Sequence, residues 1–152
     1  MIEFNAEQTI DRPADEIWAY AADIGVHPQW MNVRDATVVK GTGVEVGAIG
    51  RETVQLGPRR YVTEIVVSEA TPGRAIAWRV TGGAPIAGET RLELVPIGPE
   101  STRVRWTGHF SLTGLWRLLE PVVAGEIRSG GAAELVRLKT VLEAPASAPA
   151  VA

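Results

Sequence analysis

Few side chains in this chain could carry acid–base chemistry. There are two histidines, His27 and His109, and histidine is the residue type whose unperturbed pKa lies nearest to neutrality. Neither has a second ligand at a recognised metal spacing, so no metal site is predicted. His27 stands in a turn beside Pro28 and His109 on the charged side of a predicted strand. Both are expected at the surface, with a general acid–base role for His27 as the alternative.

Charged residues on predicted central strands form a second group of candidates. Arg51, Glu52 and Glu64 lie where one parity of each strand must face inward. An inward carboxylate or guanidinium would orient a polar ligand group or transfer a proton, whereas a solvated outer face is the more frequent case. Glu126 lies beside the apolar stripe of a predicted terminal helix, so it either points into an interior space or pairs with Arg128 at the helix edge.

The aromatic residues are dominated by five tryptophans, against two phenylalanines and two tyrosines: Trp18, Trp30, Trp78, Trp106 and Trp116. Trp78 and Trp106 are predicted on the inner face of a sheet. Indole walls supply a large apolar area of fixed shape, which suits a flat or hydrophobic ligand. The alternative is that each tryptophan simply fills the core.

Several site types are excluded by missing motifs. The segment Gly41-Thr42-Gly43 lacks the Lys-Ser/Thr pair and the following helix of a phosphate-binding loop. There is no G-x-S-x-G elbow and no H-E-x-x-H zinc motif. The chain has no cysteine, which excludes disulfides, thiolate metal ligands and a cysteine nucleophile. No cofactor and no metal are expected.

Composition favours a single globular domain in the cytoplasm. The chain has 152 residues, 45% of them apolar and 22% charged, as in ordinary globular proteins. Its net charge is −3 and its basic residues are scattered, so no nucleic-acid partner is expected. No run approaches the roughly 18 apolar residues of a membrane span. The early acid Glu3 and the lack of a basic start argue against a signal peptide.

The order of elements predicts an α+β fold. Residues 2–10 alternate as a strand, and a short amphipathic helix follows, with Asp11 as its cap and Gly25 as its end. Residues 26–31 support one further helical turn. From Val33 to Phe110 the pattern is that of about six strands joined by short turns. Three successive strands place large apolar residues on one face and charged residues on the other, which predicts an antiparallel meander with one solvated face.

Residues 113–143 then show a helical period, with an apolar stripe that includes Leu119, Val123 and Ile127. Pro121 is expected to kink this helix. Gly130-Gly131 either marks a break between two helical pieces or allows a close approach to the sheet. Residues 144–152, rich in alanine and proline, are predicted to be a disordered tail.

A known family resembles this pattern. Residues 10–20 (IDRPADEIWAY), followed by His27-Pro28-Gln29-Trp30, resemble the opening of polyketide cyclase/dehydrase-like proteins of the START-like (SRPBCC) superfamily. The Thr102–Thr107 strand, Leu118–Pro121 and Leu138–Glu143 also resemble that family. The resemblance implies a single helix-grip domain over residues 1–143, a curved antiparallel sheet of about 6–7 strands wrapped on a long C-terminal helix. Two short helices are expected after the first strand.

Together these observations predict a protein that binds a small hydrophobic or aromatic molecule (lipid-, polyketide- or isoprenoid-like) between sheet and terminal helix, as a monomer or homodimer. One alternative is a cyclase- or dehydratase-like enzyme with an aromatic or polyketide-type substrate. The other is an interaction protein with an exposed apolar patch. A ligand-binding protein is favoured over an enzyme. The expected ligand-binding residues are Trp30, Trp78, Trp106, Phe110, Leu119, Val123, Ile127, Arg51 and Glu126.

Overall fold

The computed structural model describes residues 1–145. Seven strands are present: β1 (Ile2–Ile10), β2 (Val33–Lys40), β3 (Ile49–Leu56), β4 (Arg59–Thr71), β5 (Ala75–Gly82), β6 (Ile86–Gly98) and β7 (Ser101–Leu112). The helices are α1 (Ala14–Ala21), α2 (His27–Trp30) and α3 (Glu120–Glu143), with 3-10 segments at Ile24–Val26 and Gly114–Leu119. Most of the predicted disordered tail, residues 146–152, lies outside the described residues.

The strands form one antiparallel sheet in the order β1-β7-β6-β5-β4-β3-β2. Each strand from β2 to β6 is paired with the next one along the chain, as the hairpin spacing predicts, and β1 pairs with β7 at the far edge. Register shifts interrupt the β2–β3 and β4–β5 ladders, and such irregularities bend and twist a sheet. The predicted curved antiparallel sheet with a long C-terminal helix and two short helices after β1 is confirmed.

The helix α1 follows the edge strand β1 and buries one of its faces against the sheet. Pro13, in extended conformation, precedes its first turn, and the acidic Asp15 and Glu16 lie in that turn, where the helix dipole favours negative charge. Asp11, the predicted cap, lies further upstream, and no side chain caps this helix. Trp18 on the buried face donates a hydrogen bond from Nε1 to the carbonyl oxygen of Ala75, at 2.8 Å, which fixes α1 against β5.

The terminal segment differs from the expected kinked helix. Gly114–Leu119 forms a 3-10 helix and α3 begins only at Glu120. Pro121 therefore occupies the first turn of α3, where its missing N–H needs no partner, and the prediction of a mid-helix kink is wrong. The helix α3 runs without a break through Gly130-Gly131.

Gly131 is the position that lets α3 approach the sheet. A Cβ atom built there would lie less than 3.0 Å from three ring carbons of Phe4 on β1. A Cβ on Gly108 of β7 would meet the same ring from the other side. Of the two interpretations of the glycine pair, close approach is therefore the one that the structure supports, because only residues without a side chain leave room for the Phe4 ring.

Candidate functional site

A cavity of about 590 Å³ lies between the concave face of the sheet and α3. The face is built by strand alternation: Trp78 on β5 and Trp106 on β7 point inward and are buried, while Arg79 and Arg105 beside them are exposed. The helix closes the space with side chains at three- and four-residue spacing, from Val123 onward. The space is of a size typical of small-molecule sites.

Aromatic rings form one wall of the cavity. Phe4, Trp78, Trp106 and Phe110 line it. The ring centroids of Trp78 and Trp106 are 6.2 Å apart at an interplanar angle of 72°, and those of Phe4 and Phe110 are 6.3 Å apart and nearly parallel. Trp30 packs edge-on against Trp106 at 5.1 Å. Rings that contact one another in these edge-to-face and offset arrangements make a wall of fixed shape.

A buried histidine–carboxylate pair also lines the cavity. Nδ1 of His27, on α2, lies 2.6 Å from Oε2 of Glu52, on β3, and the two side chains are 0% and 8% exposed. His27 is the first residue of α2, a single helical turn with Pro28 at its start. Nε2 of His27 is buried and has no hydrogen-bond partner among the described residues. An ionised carboxylate only accepts hydrogen bonds, so Nδ1 of His27 carries a proton when it faces ionised Glu52, and a ring with that proton alone has a lone pair on Nε2.

Glu134 contributes a second carboxyl group from α3. It accepts hydrogen bonds from the backbone N–H of Asn32, at 2.7 Å, and from Nε1 of Trp106, at 3.1 Å. Burial raises the pKa of Glu134, and the nearby charge of Glu52 acts in the same direction, whereas the two hydrogen bonds and Arg137 oppose the rise. Desolvation has the largest effect because a carboxylate loses its hydration inside the protein. The cavity therefore contains a carboxyl group biased toward its neutral form.

Exposed polar residues mark where the cavity meets solvent. Arg34, Gln55, Arg60 and Glu126 all line the cavity and are all exposed. They contrast with the buried polar residues of the interior, His27 among them. An occupant that fills the cavity would therefore meet both buried and solvated polar groups.

Six of the nine residues that the sequence singled out line the cavity: Trp78, Trp106, Phe110, Val123, Ile127 and Glu126. The other three do not. Trp30 is fully buried behind the wall, against Trp106 and His27. Leu119 is 45% exposed because the chain there is a 3-10 helix rather than the continuous α-helix that would have turned it inward. Arg51 is exposed because its parity on β3 is the outer one.

The acid–base groups of the cavity are residues that the sequence analysis placed at the surface or did not single out. His27 was expected at the surface, and this prediction is wrong, because it is fully buried among aromatic rings. Glu52 was placed by preference on the outer face, and it faces inward. Glu134 was not singled out, although its spacing of seven residues from Ile127 puts it on the inner face of α3. That spacing was the signal that could have found it.

No group of three or more histidine, aspartate or glutamate side chains suited to hold a metal ion occurs within residues 1–145. In the same part of the chain, no helix is long and apolar enough to cross a membrane.

A concave antiparallel sheet around one long helix, with a cavity between them, is the architecture of the helix-grip fold. Residues 1–143 match the family model described as polyketide cyclase/dehydrase and lipid transport. The chain therefore belongs to this family, and the resemblance noted in the sequence is confirmed.

Solved structures share the fold at low sequence identity. A protein from Thermus thermophilus superposes with a TM-score of 0.77 at 21% identity, over 95% of this chain and 99% of that one. A START superfamily protein from Mycobacterium smegmatis gives 0.74 at 18% identity, over 94% and 98%. The Zhui aromatase/cyclase from a Streptomyces species gives 0.63 at 17% identity, over 91% and 84%. No curated protein matches the chain significantly. At these identities the similarity shows the fold alone.

Proposed function

We propose that this protein binds a small hydrophobic or aromatic molecule, of lipid, polyketide or isoprenoid type, in the cavity between the sheet and α3. The observation that carries the proposal is the cavity itself: about 590 Å³ with a lining surface that is mostly apolar. Of the residues predicted from sequence, the six that line the cavity are assigned to the contact with this ligand.

The energetics support such a role. A ligand that buries about 250 Å² of apolar surface gains roughly 6 kcal/mol at 25 cal/mol per Å². The cost of immobilising the ligand reduces this gain. The further cost of ordering the protein is small, because the rings of Trp78 and Trp106 already pack against each other. Affinity in the micromolar range then requires only a few additional polar contacts.

The test uses a matched pair of variants on α3. Val123 is 6% exposed and lines the cavity, whereas its neighbour Val122 is 74% exposed and does not. The substitution Val123→Phe places a ring in the cavity, while Val122→Phe places the same ring in solvent. Native mass spectrometry of freshly purified protein, before and after organic extraction, would detect a co-purifying small molecule. Tryptophan quenching by aromatic polyketides and fatty acids would measure affinity for added ligands.

We expect wild type and Val122→Phe to bind such compounds alike and Val123→Phe to bind at least tenfold more weakly, as expected for an interior that cannot expand without strain. Equal affinity of all three proteins would place the ligand elsewhere and contradict the proposal. Circular dichroism of both variants checks that the fold is retained.

A second candidate function, acid–base catalysis on an aromatic or polyketide-type substrate, is favoured by one observation. The His27–Glu52 pair and the carboxyl group of Glu134 line the same cavity. A histidine Nε2 that carries a lone pair can accept a proton, and a neutral carboxyl can donate one. Incubation with a poly-β-ketone substrate tests this function by the appearance of a cyclised product or of a product that has lost water. Turnover unaffected by both His27→Gln and Glu134→Gln would contradict it.

A further inference from the structure

Two ring nitrogens in the cavity wall are buried without a partner among the described residues. They are Nε2 of His27 and Nε1 of Trp78, and both residues line the cavity. Their rings are adjacent, with centroids 4.6 Å apart and planes at 86°. Buried polar groups are normally hydrogen-bonded because an unpaired one loses its contact with water and gains nothing in return. Two such groups on adjacent rings, both belonging to residues that line a ligand cavity, indicate a subsite.

The chemistry of the two nitrogens is complementary. Nδ1 of His27 lies 2.6 Å from Oε2 of Glu52, and when an ionised Glu52 accepts the single ring proton, Nε2 of His27 is a hydrogen-bond acceptor, whereas the indole Nε1–H of Trp78 is only a donor. A group that meets both must therefore both donate and accept a hydrogen bond. A hydroxyl does this, since its oxygen carries one proton and two lone pairs. A carbonyl or an ether oxygen would satisfy the indole alone.

The charges around the subsite disfavour an anion. The titratable side chains that line the interior are His27, Glu52 and Glu134, two of them acids. The arginines that line the cavity, Arg34 and Arg60, are both exposed. A ligand carboxylate placed beside His27 would lose its hydration and would face the carboxylate of Glu52 without an arginine to compensate.

The geometry points to a hydroxyl-recognition subsite formed by Nε2 of His27 and Nε1 of Trp78, with Glu52 as the positioning residue that fixes the tautomer of the histidine. The occupant is then a neutral aromatic or alicyclic alcohol, phenol or enol rather than a carboxylic acid. This inference rests on the ligand-binding function proposed above.

Three probes of one ring system test the subsite: 2-naphthol, 2-methoxynaphthalene and 2-naphthoate, each titrated into wild-type protein by calorimetry. We expect 2-naphthol to bind about tenfold more tightly than its methyl ether, the ratio produced by one hydrogen bond to a buried group that is otherwise unpaired. The carboxylate should bind most weakly of the three. Equal affinity for the three probes would overturn the subsite but would leave the proposed ligand binding in the cavity standing. If none of the three probes binds, both the proposed ligand binding in the cavity and the subsite are overturned.

The double variant His27→Phe with Glu52→Leu removes the acceptor without leaving a buried carboxylate unpaired. It should bind 2-naphthol and its methyl ether with equal affinity, near that of wild type for the ether. The matched control is His109→Phe, on the exposed face of β7, which should keep the tenfold preference. A preference that survives in the double variant would refute the role of His27.

A measurement on wild-type protein serves if the double variant does not fold. The ¹⁵N resonance of His27 Nε2, distinguished from that of His109 by the control variant, should shift on addition of 2-naphthol and stay in place with the methyl ether. A purely structural His27–Glu52 pair would show the same response to both probes, and that result would overturn the inference.

Discussion

The contact between Gly131 and Phe4 allows one stability effect to be worked out in detail. In an exposed helix interior, Gly→Ala stabilises a protein by about 1 kcal/mol. At Gly131 the added Cβ would lie less than 3.0 Å from three carbons of the Phe4 ring. The ring has little room to retreat toward β7, because it packs so near the backbone of Gly108 that a Cβ built there would also lie less than 3.0 Å from two of its carbons. Overpacking of this kind costs about 1–3 kcal/mol.

Gly125 provides the matched control on the same helix. It is exposed, and a Cβ built there has nothing within 4 Å. Because alanine has the higher helix propensity, Gly125→Ala should raise the free energy of unfolding by about 1 kcal/mol. Since Gly131→Ala receives the same gain but also the clash, we expect it to be about 1–3 kcal/mol less stable than Gly125→Ala. Urea unfolding followed by tryptophan fluorescence measures both free energies of unfolding.

The same contact links stability to binding. Phe4 lines the cavity, so a shift of its ring that relieves the clash changes the shape of the wall that faces the ligand. Gly131→Ala should therefore weaken ligand binding, whereas Gly125→Ala should not. Equal stability of the two alanine variants, together with equal affinity for 2-naphthol, would refute the close approach of α3 and β1.

Two further predictions concern buried polar groups. Burial raises the pKa of Glu134, so its native carboxyl binds its proton more tightly than the unfolded chain does. The free energy of unfolding of wild type should then fall relative to Glu134→Gln as the pH rises above about 4.3; urea unfolding at several pH values measures the difference, and a pH-independent difference would contradict it. Trp18→Phe leaves the Ala75 carbonyl unpaired, whereas Nε1 of Trp78 has no partner to lose among the described residues. Thermal and urea unfolding should show Trp18→Phe to be more destabilising than Trp78→Phe by about 1–2 kcal/mol, and the reverse order would count against this assignment.

The elements of the fold were predictable because their signals are local. Alternation along β5 and β7 placed Trp78 and Trp106 on the inner face, and both line the cavity. Alternation alone does not say which of two neighbouring residues faces inward. On β3 it is Glu52 that faces inward and Arg51 that faces outward, and the sequence of the strand by itself does not distinguish these two arrangements. Pro121 was misjudged for a related reason, since its effect depends on where the helix begins, and that boundary is set by the 3-10 segment before it.

The sequence by itself determined the order of strands and helices, the family and the presence of an apolar inner face, because periodicity and turn residues act over a few positions. The site was decided by tertiary structure alone. His27, Glu52 and Glu134 come from a one-turn helix, the strand β3 and the terminal helix, and none of these segments shows which groups the others will present. The charge and hydrogen bonding of such residues depend on burial and on their neighbours, which exist only when the sheet has curved around α3.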